Sequence, residues 1–429
     1  MSDICRCTCN LLGLLIRAIR GYKNNFCLSP KYIFFLCKKE YYLRKIFFYF
    51  IHSHIHKYQV AMIIAVPKET KWKENRVSLT PAVVKDMVAK GFVVKVEKDA
   101  GKASFFADKD YIEAGAEIMA DKNALYNIAD VVLKVNVPLV EEISLMKKES
   151  VLISFIWAKT NPDSVAAFVK AGITAFSIDA IPRISRAQKM DALSSQANLA
   201  GYKAVIMCAN QLGKIFPMMT TAAGTIKPAK VVIFGAGVAG LQAVATAKRL
   251  GAVVEVSDIR PETKEQVQSL GGKFIELAGD DSIKLEGGYV KEVSAEFLKK
   301  QQDLVAKHVA AADIIITTAL IPGRKAPVLV TDDMLKMMKF GSVILDMAVE
   351  QGGNVVGSKL NETLEIHGVT IIGESNIPSL LPMNASELYA KNIQTFLYHL
   401  ATKEGFKWEM EEEITKGSLV VYKGENKIK

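Results

Sequence analysis

From Met62 onward, short apolar runs alternate with longer stretches in which apolar residues recur at helical spacing. Ile63–Val66, Val93–Glu97, Val131–Val135, Val151–Ile156 and Thr174–Ile178 read as strands. Helix-sized segments such as Pro81–Lys90 and Pro162–Ala171 lie between them. Strands apolar on both faces, separated by helices, predict a parallel sheet covered on each side. A second series follows at Lys230–Phe234, Val253–Ser257, Ile314–Thr317, Ser342–Asp346 and Thr370–Ile372. A long helix over about Met190–Gln211 separates the two series, and its many small residues allow close helix packing. Glu387–Leu400 reads as an amphipathic helix with no strand after it, so residues beyond Ile377 are expected to rejoin the first domain. The predicted fold is α/β, with two doubly wound domains and a cleft between them. Their expected extents are 62–189 with 377–429 for the first and 190–376 for the second.

Charge changes the picture at the N-terminus. The 429 residues carry a formal charge of +10, but residues 1–61 hold 10 of the 55 Lys and Arg and only 2 of the 45 Asp and Glu. The rest is nearly neutral, which argues against a nucleic-acid partner. The same 61 residues hold five of the six cysteines, leaving Cys208 alone in the body. That usage fits a reducing compartment with no disulfide framework. The apolar runs Leu11–Ile16 and Ile46–Ile51 are too short for the roughly 20 apolar residues of a membrane span, and the order of features is wrong for a secretory signal. The alternating runs Cys5, Cys7, Cys9 and His52, His54, His56 lack structural-zinc spacing, and no metal is expected. Met62 opens a clean strand, so 1–61 is read as a non-native or disordered extension.

The strongest motif runs from Lys230 to Asp258. An apolar strand enters Gly235-Ala236-Gly237-Val238-Ala239-Gly240, a helix follows, and a second strand ends at Asp258, 18 residues after the last glycine. Gly235 permits the tight turn, Gly237 clears space for a pyrophosphate, and Gly240 lets helix and strand approach. The helix N-terminus presents free N–H groups to the phosphates. Strand, glycines, helix and acid together mark a Rossmann-like dinucleotide domain. Asp258 can accept hydrogen bonds from ribose hydroxyls and would repel a 2′-phosphate, which favours NAD(H); Ile259 and Arg260 follow it, and Arg260 softens the discrimination.

Pro182–Gln196, with the sequence PRISRAQKMDALSSQ, is densely polar for a domain junction. If the chain is helical from Met190, then Asp191, Ser194 and Ser195 share a face. These residues can hold a nicotinamide, yet none is an obvious general base. A capped helix start with solvated charges would look similar.

Four stretches, PRISRAQKMDALSSQANLAGY, GAGVAGLQAVATAKRLGA, RPETKEQVQSLGGKF and TTALIPG, resemble the NAD(H)-binding component of proton-translocating transhydrogenases. The opening IAVPKE and RVSLTP is similar to the same family, and the resemblance covers Met62 to the end. It implies that Arg183, Asp191 and Ser194 orient the nicotinamide and that Gln188 reaches toward the partner's NADP ribose. It further implies that Asp258 holds the adenosine ribose and that Thr318, Ala319 and Leu320 line the nucleotide site. Gly287, Gly288 and Tyr289 match a mobile loop that closes over the nucleotide, with Val293 where the family's loop has methionine.

The implied reaction is direct hydride transfer from NADH here to NADP⁺ on a separate subunit, coupled to proton translocation. The implied partners are a second copy of the chain, giving a homodimer, and membrane-spanning alpha-2 and beta subunits, the beta subunit carrying NADP(H). The implied location is cytoplasmic, peripheral on the inner membrane of a bacterium. Direct transfer needs two rings held in contact with water excluded, and no acid or base.

Two rival readings differ in class. Alanine dehydrogenase shares the fold, and Arg76 and Lys134 match its pyruvate-binding residues; its chemistry needs an acid/base histidine, and Leu152–Lys159 has Trp157 where that histidine is sought. A non-catalytic NAD(H)-binding protein would bind the nucleotide and stay inert.

Overall fold

In a computed structural model the described residues are 62–276, 285–286, 289–290, 295–320 and 325–428, the side chains of 285–286, 289–290 and 295–302 excepted. They lie within one unit, Ala61–Lys429. Residues 1–61, Gly287, Gly288, Val293 and Ile321–Gly323 lie outside the described set, as does the Tyr289 side chain.

The first sheet contains β1 (Ile63–Val66), β2 (Val93–Glu97), β3 (Glu117–Met119), β4 (Val131–Leu133), β5 (Val151–Ser154) and β6 (Thr174–Ser177). The second contains β7 (Lys230–Phe234), β8 (Val253–Ser257), β9 (Lys273–Phe274), β10 (Ile314–Thr317), β11 (Val343–Asp346), β12 (Thr363–Ile366) and β13 (Val369–Ile372). Near the C-terminus come β14 (Leu419–Tyr422) and β15 (Glu425–Asn426). The strand orders are β15-β14-β6-β5-β4-β1-β2-β3 and β9-β8-β7-β10-β11-β13-β12. β1 to β6 run parallel, as do β7 to β11 with β13.

Both faces of each sheet are covered, which explains the unbroken apolar runs. Ile64 and Val66 enter one core cluster while Ala65 between them enters another. Val231 and Ile233 are likewise parted from Val232 and Phe234. In each sheet the chain begins centrally and winds outward both ways, so a crevice opens at the strand ends where the order reverses. The reversals fall between β1 and β4 and between β7 and β10.

Two helices join the sheets. One spans Ala192–Gln211 and the other Pro382–Leu400. A Cβ on Gly201 in the first would stand 2.1 Å from the Ala239 carbonyl oxygen, so the small residues do permit near contact with the helix Val238–Arg249.

Three expectations are corrected. Ser185–Met190 forms a 3₁₀ segment and the long helix begins at Ala192, because the Asp191 side chain caps it by accepting from Ser194 N. The end of the chain is not strand-free: β14 pairs antiparallel with β6, with an irregular register between Leu419 and Val421. Val420 and Val421 are buried, but the strand is four residues long and flanked by Ser418 and Lys423 in a mostly polar C-terminal stretch, which hid the signal. Glu117–Met119 and Thr363–Ile366 are edge strands too short or too polar to stand out.

Candidate functional site

Gly235 leaves β7 at φ 97°, and a Cβ there would lie 2.5 Å from Thr318 Oγ1. At Gly240 a Cβ would lie 1.8 Å from the Gly235 carbonyl oxygen. Both glycines are demanded by the fold. Gly237 is different: it caps the helix Val238–Arg249, and an added Cβ would meet nothing within 4 Å. The space above it is open, as a cradle for a phosphate approaching a helix N-terminus requires. Ala236 is buried, Ala239 is partly buried, and Val238 and Ile259 are exposed.

Asp258 closes the motif. Its Oδ2 accepts from Ala236 N at 2.6 Å and Arg260 Nη2 at 3.0 Å. Its Oδ1 accepts from Arg260 N at 2.8 Å and Arg260 Nε at 3.1 Å. Burial pushes the Asp258 carboxyl up, but these hydrogen bonds outweigh it and hold the group below its ordinary range. The acid is therefore ionised at neutral pH, with Arg260 seated on it.

The far wall comes from the end of β10. Thr318 Oγ1 lies 3.0 Å from the Phe234 carbonyl oxygen and 3.2 Å from that of Gly235. Ala319 N donates to Asn354 Oδ1 at 3.2 Å, and Asn354 Nδ2 donates back to the Ala319 carbonyl at 3.0 Å. Leu320 beyond is exposed. Buried Asn354 thus fixes the loop that carries Thr318, Ala319 and Leu320. Sequence reasoning missed it; the only signal was the Gly352-Gly353 pair, both at positive φ.

The polar junction is held firmly at its ends. Ala187 and Met190 are buried in the first core, and Asn392 Nδ2 donates to the Lys189 carbonyl at 2.9 Å. Asp191 receives Ser194 N on Oδ1 at 2.9 Å and the Ser194 hydroxyl on Oδ2 at 2.5 Å. Ser195 is turned away, donating to Asn392 Oδ1 at 2.7 Å. Arg183 and Gln188 are exposed and make no side-chain hydrogen bond or ion pair with any described residue. Gly201, seated on Ala239, is ten residues along the helix from Asp191, so the cap lies about 15 Å along the axis from the dinucleotide loop.

The crevice of the first sheet holds a second cluster. Arg76 Nε and Nη2 donate to Glu74 Oε1 at 2.8 Å and Oε2 at 2.7 Å. Arg76 also donates to Gln196 Oε1 and Asn376 Oδ1 at 2.8 and 2.9 Å. Lys134 Nζ lies 3.6 Å from Glu69 Oε2 and 3.5 Å from Glu142 Oε2. Arg76 and Lys134 are buried and paired with carboxylates of the same chain. His308, His367 and His399 pair with Glu255, Asp332 and Glu412. Trp157 is exposed at φ 51°. Among the described residues, no group of three or more His, Cys, Asp or Glu could hold a metal ion. No described helix is long and apolar enough to cross a membrane.

Fold and glycine loop together define a two-domain α/β protein with a Rossmann-type site. The chain belongs to the alanine dehydrogenase/PNT family: the family model of the N-terminal domain matches residues 65–200 and that of the C-terminal domain matches 204–429. It is 48% identical over 373 residues to the first portion of the NAD(P) transhydrogenase alpha subunit of Rhodospirillum rubrum, covering 85% of this chain and 97% of that one. A transhydrogenase structure from Sinorhizobium meliloti superposes with a TM-score of 0.79 at 45% identity, covering 85% and 99%. Alanine dehydrogenase of Bacillus subtilis is more distant, 32% identical over 354 residues, covering 81% and 87%.

Proposed function

We propose that this chain is the NAD(H)-binding subunit of a proton-translocating transhydrogenase. The observation that carries this reading is a junction of positioning groups without an acid–base pair, joined by one helix to a glycine loop with an ionised acid. A bound nicotinamide supplies the hydride, exchanged with NADP(H) on a partner subunit. Gly235, Ala236, Gly237, Val238, Ala239 and Gly240 receive the pyrophosphate. Asp258, Ile259 and Arg260 surround the adenosine ribose, and Thr318, Ala319 and Leu320 the remaining nucleotide.

Asp191 and Ser194, locked together, present a fixed polar pair to the nicotinamide ribose and carboxamide. Arg183 and Gln188, without partners among the described residues, are available to the ring and to the NADP ribose. The family resemblance assigns nucleotide contact to Gly288 and Tyr289 as well; Gly288 and the Tyr289 side chain lie outside the described residues. Their combined work is alignment and exclusion of water, which can supply several kcal/mol of the barrier.

We assign 62–189 with 377–429 to one domain and 190–376 to the NAD(H) domain. We further propose a homodimer; the hairpin Met219–Ile226, exposed at every residue, supports self-association. The partners are membrane subunits, alpha-2 and the NADP(H)-bearing beta, with this chain peripheral on the cytoplasmic face.

Reconstitution tests the reading. Adding the NADP(H)-binding subunit should switch on hydride exchange between NADH and an NADP analogue. NADH-dependent reductive amination of pyruvate without such exchange would overturn it in favour of alanine dehydrogenase, and NADH binding with neither reaction would indicate a non-catalytic binder.

A further inference from the structure

Arg186 lies inside the polar junction but plays no part in the site described above. Its Nη2 is 2.9 Å from Glu412 Oε1 and 3.1 Å from Glu413 Oε2. Glu412 is itself fixed. Its Oε2 caps the short helix Glu413–Ser418, accepting from Ile414 N and Thr415 N at 2.9 Å each, and meets His399 Nε2 at 2.9 Å. Ile414, Thr415 and Ser418 are buried. A Cβ on Gly417 would lie 3.2 Å from Pro182 Cδ, so the same helix backs directly onto the residue before Arg183. The helix then runs into β14, which is zipped to β6, the strand that leads into the junction.

We infer that the C-terminal helix Glu413–Ser418 is a buttress that sets the position of Arg183 and Gln188, with Arg186 as the positioning residue that grips it. The junction is anchored in the core at Ala187 and Met190. Between Pro182 and Ala187, however, the side-chain polar ties to other described residues are the Arg186 ion pairs, and they cross to a segment more than 220 residues away in sequence. Ile181 and Ile184 on either side of Arg183 pack partly against the core, and Arg183 has no polar partner of its own among the described residues, so the Arg186 ion pairs are the polar contact that fixes its stretch. The inference rests on the proposed hydride-transfer role. Misplacing a positioning group by about 1 Å can cost up to 100-fold in rate.

The test uses the full chain with the NADP(H)-binding subunit in saturating excess. Arg186→Ala should lower the maximal rate of hydride exchange about 10- to 100-fold while shifting NADH affinity less than about twofold. Arg186→Lys, which retains the charge, should recover most of the rate. Amide hydrogen exchange of residues 183–188 in the free chain should be faster in Arg186→Ala, a readout independent of activity. Unchanged exchange and unchanged rate in Arg186→Ala would overturn the inference. So would a rate restored merely by adding more partner, which would make Arg186 a docking contact. A wild-type chain inactive with its partner, yet with faster amide exchange in Arg186→Ala, would sink the proposed function and leave the buttress standing.

Discussion

Asp258 and Arg260 form a closed pair, with Nη2–Oδ2 at 3.0 Å and Nε–Oδ1 at 3.1 Å. The acid that should receive a ribose is thus already engaged by a cation two residues away. Ribose hydroxyls must share its oxygens or displace the guanidinium. Asp258→Asn removes the charge-assisted acceptor and should weaken NADH binding about 10- to 100-fold. Arg260→Ala should leave NADH binding intact and sharpen rejection of NADPH, since the 2′-phosphate then meets an uncompensated carboxylate. Because Arg260 is about half exposed, that gain should be modest, roughly threefold. Titration of intrinsic fluorescence with each nucleotide checks both.

The glycines separate folding from binding. Gly240→Ala drives a methyl group into the Gly235 carbonyl and should destabilise the protein by about 1–3 kcal/mol or more. Gly237→Ala meets open space, so its melting temperature should barely move while NADH affinity falls. Paired thermal melts and NADH titrations decide the matter; equal loss of stability in both variants would contradict the phosphate role.

Arg183→Ala and Gln188→Ala remove exposed, unpartnered side chains and should leave the melting temperature unchanged. Each should slow hydride exchange in the reconstituted complex. Arg183→Ala should act on the bound nicotinamide in the isolated chain as well, and Gln188→Ala only once the partner is present.

Arg76 and Glu74 predict an acid limit. Burial pushes Glu74 up, but Arg76 and its hydrogen bonds outweigh this and bring it down to about 2 from an ordinary 4.5. A depressed carboxylate contributes stability that is fully present above 4.5 and is lost as pH falls from there toward 2. The contribution is on the order of 3 kcal/mol. Glu69, raised chiefly by burial, acts with the opposite sign. Glu74→Gln should therefore melt well below wild type at pH 7, with the difference shrinking at pH 3. Arg76→Ala strands a buried carboxylate and should cost about 3–5 kcal/mol.

Local chemistry determined much of this protein from sequence alone. Gly235, Gly237, Gly240 and Asp258 stand in one stretch of chain, so strand, turn, helix and acid are legible without knowing what packs on them. The inner strands β1, β4, β5, β7, β10 and β11 were legible because burial on both faces leaves a nearly uninterrupted apolar signal. Tertiary structure alone decided the rest. β14 is only four residues long, in a polar and charged C-terminal stretch, and its pairing with β6 depends on a partner more than 240 residues away. Asn354 holds Ala319 from 35 residues off, and Glu412 reaches Arg186 across the fold. Such partners leave no periodic trace, because a single contact between distant segments imposes no pattern on either.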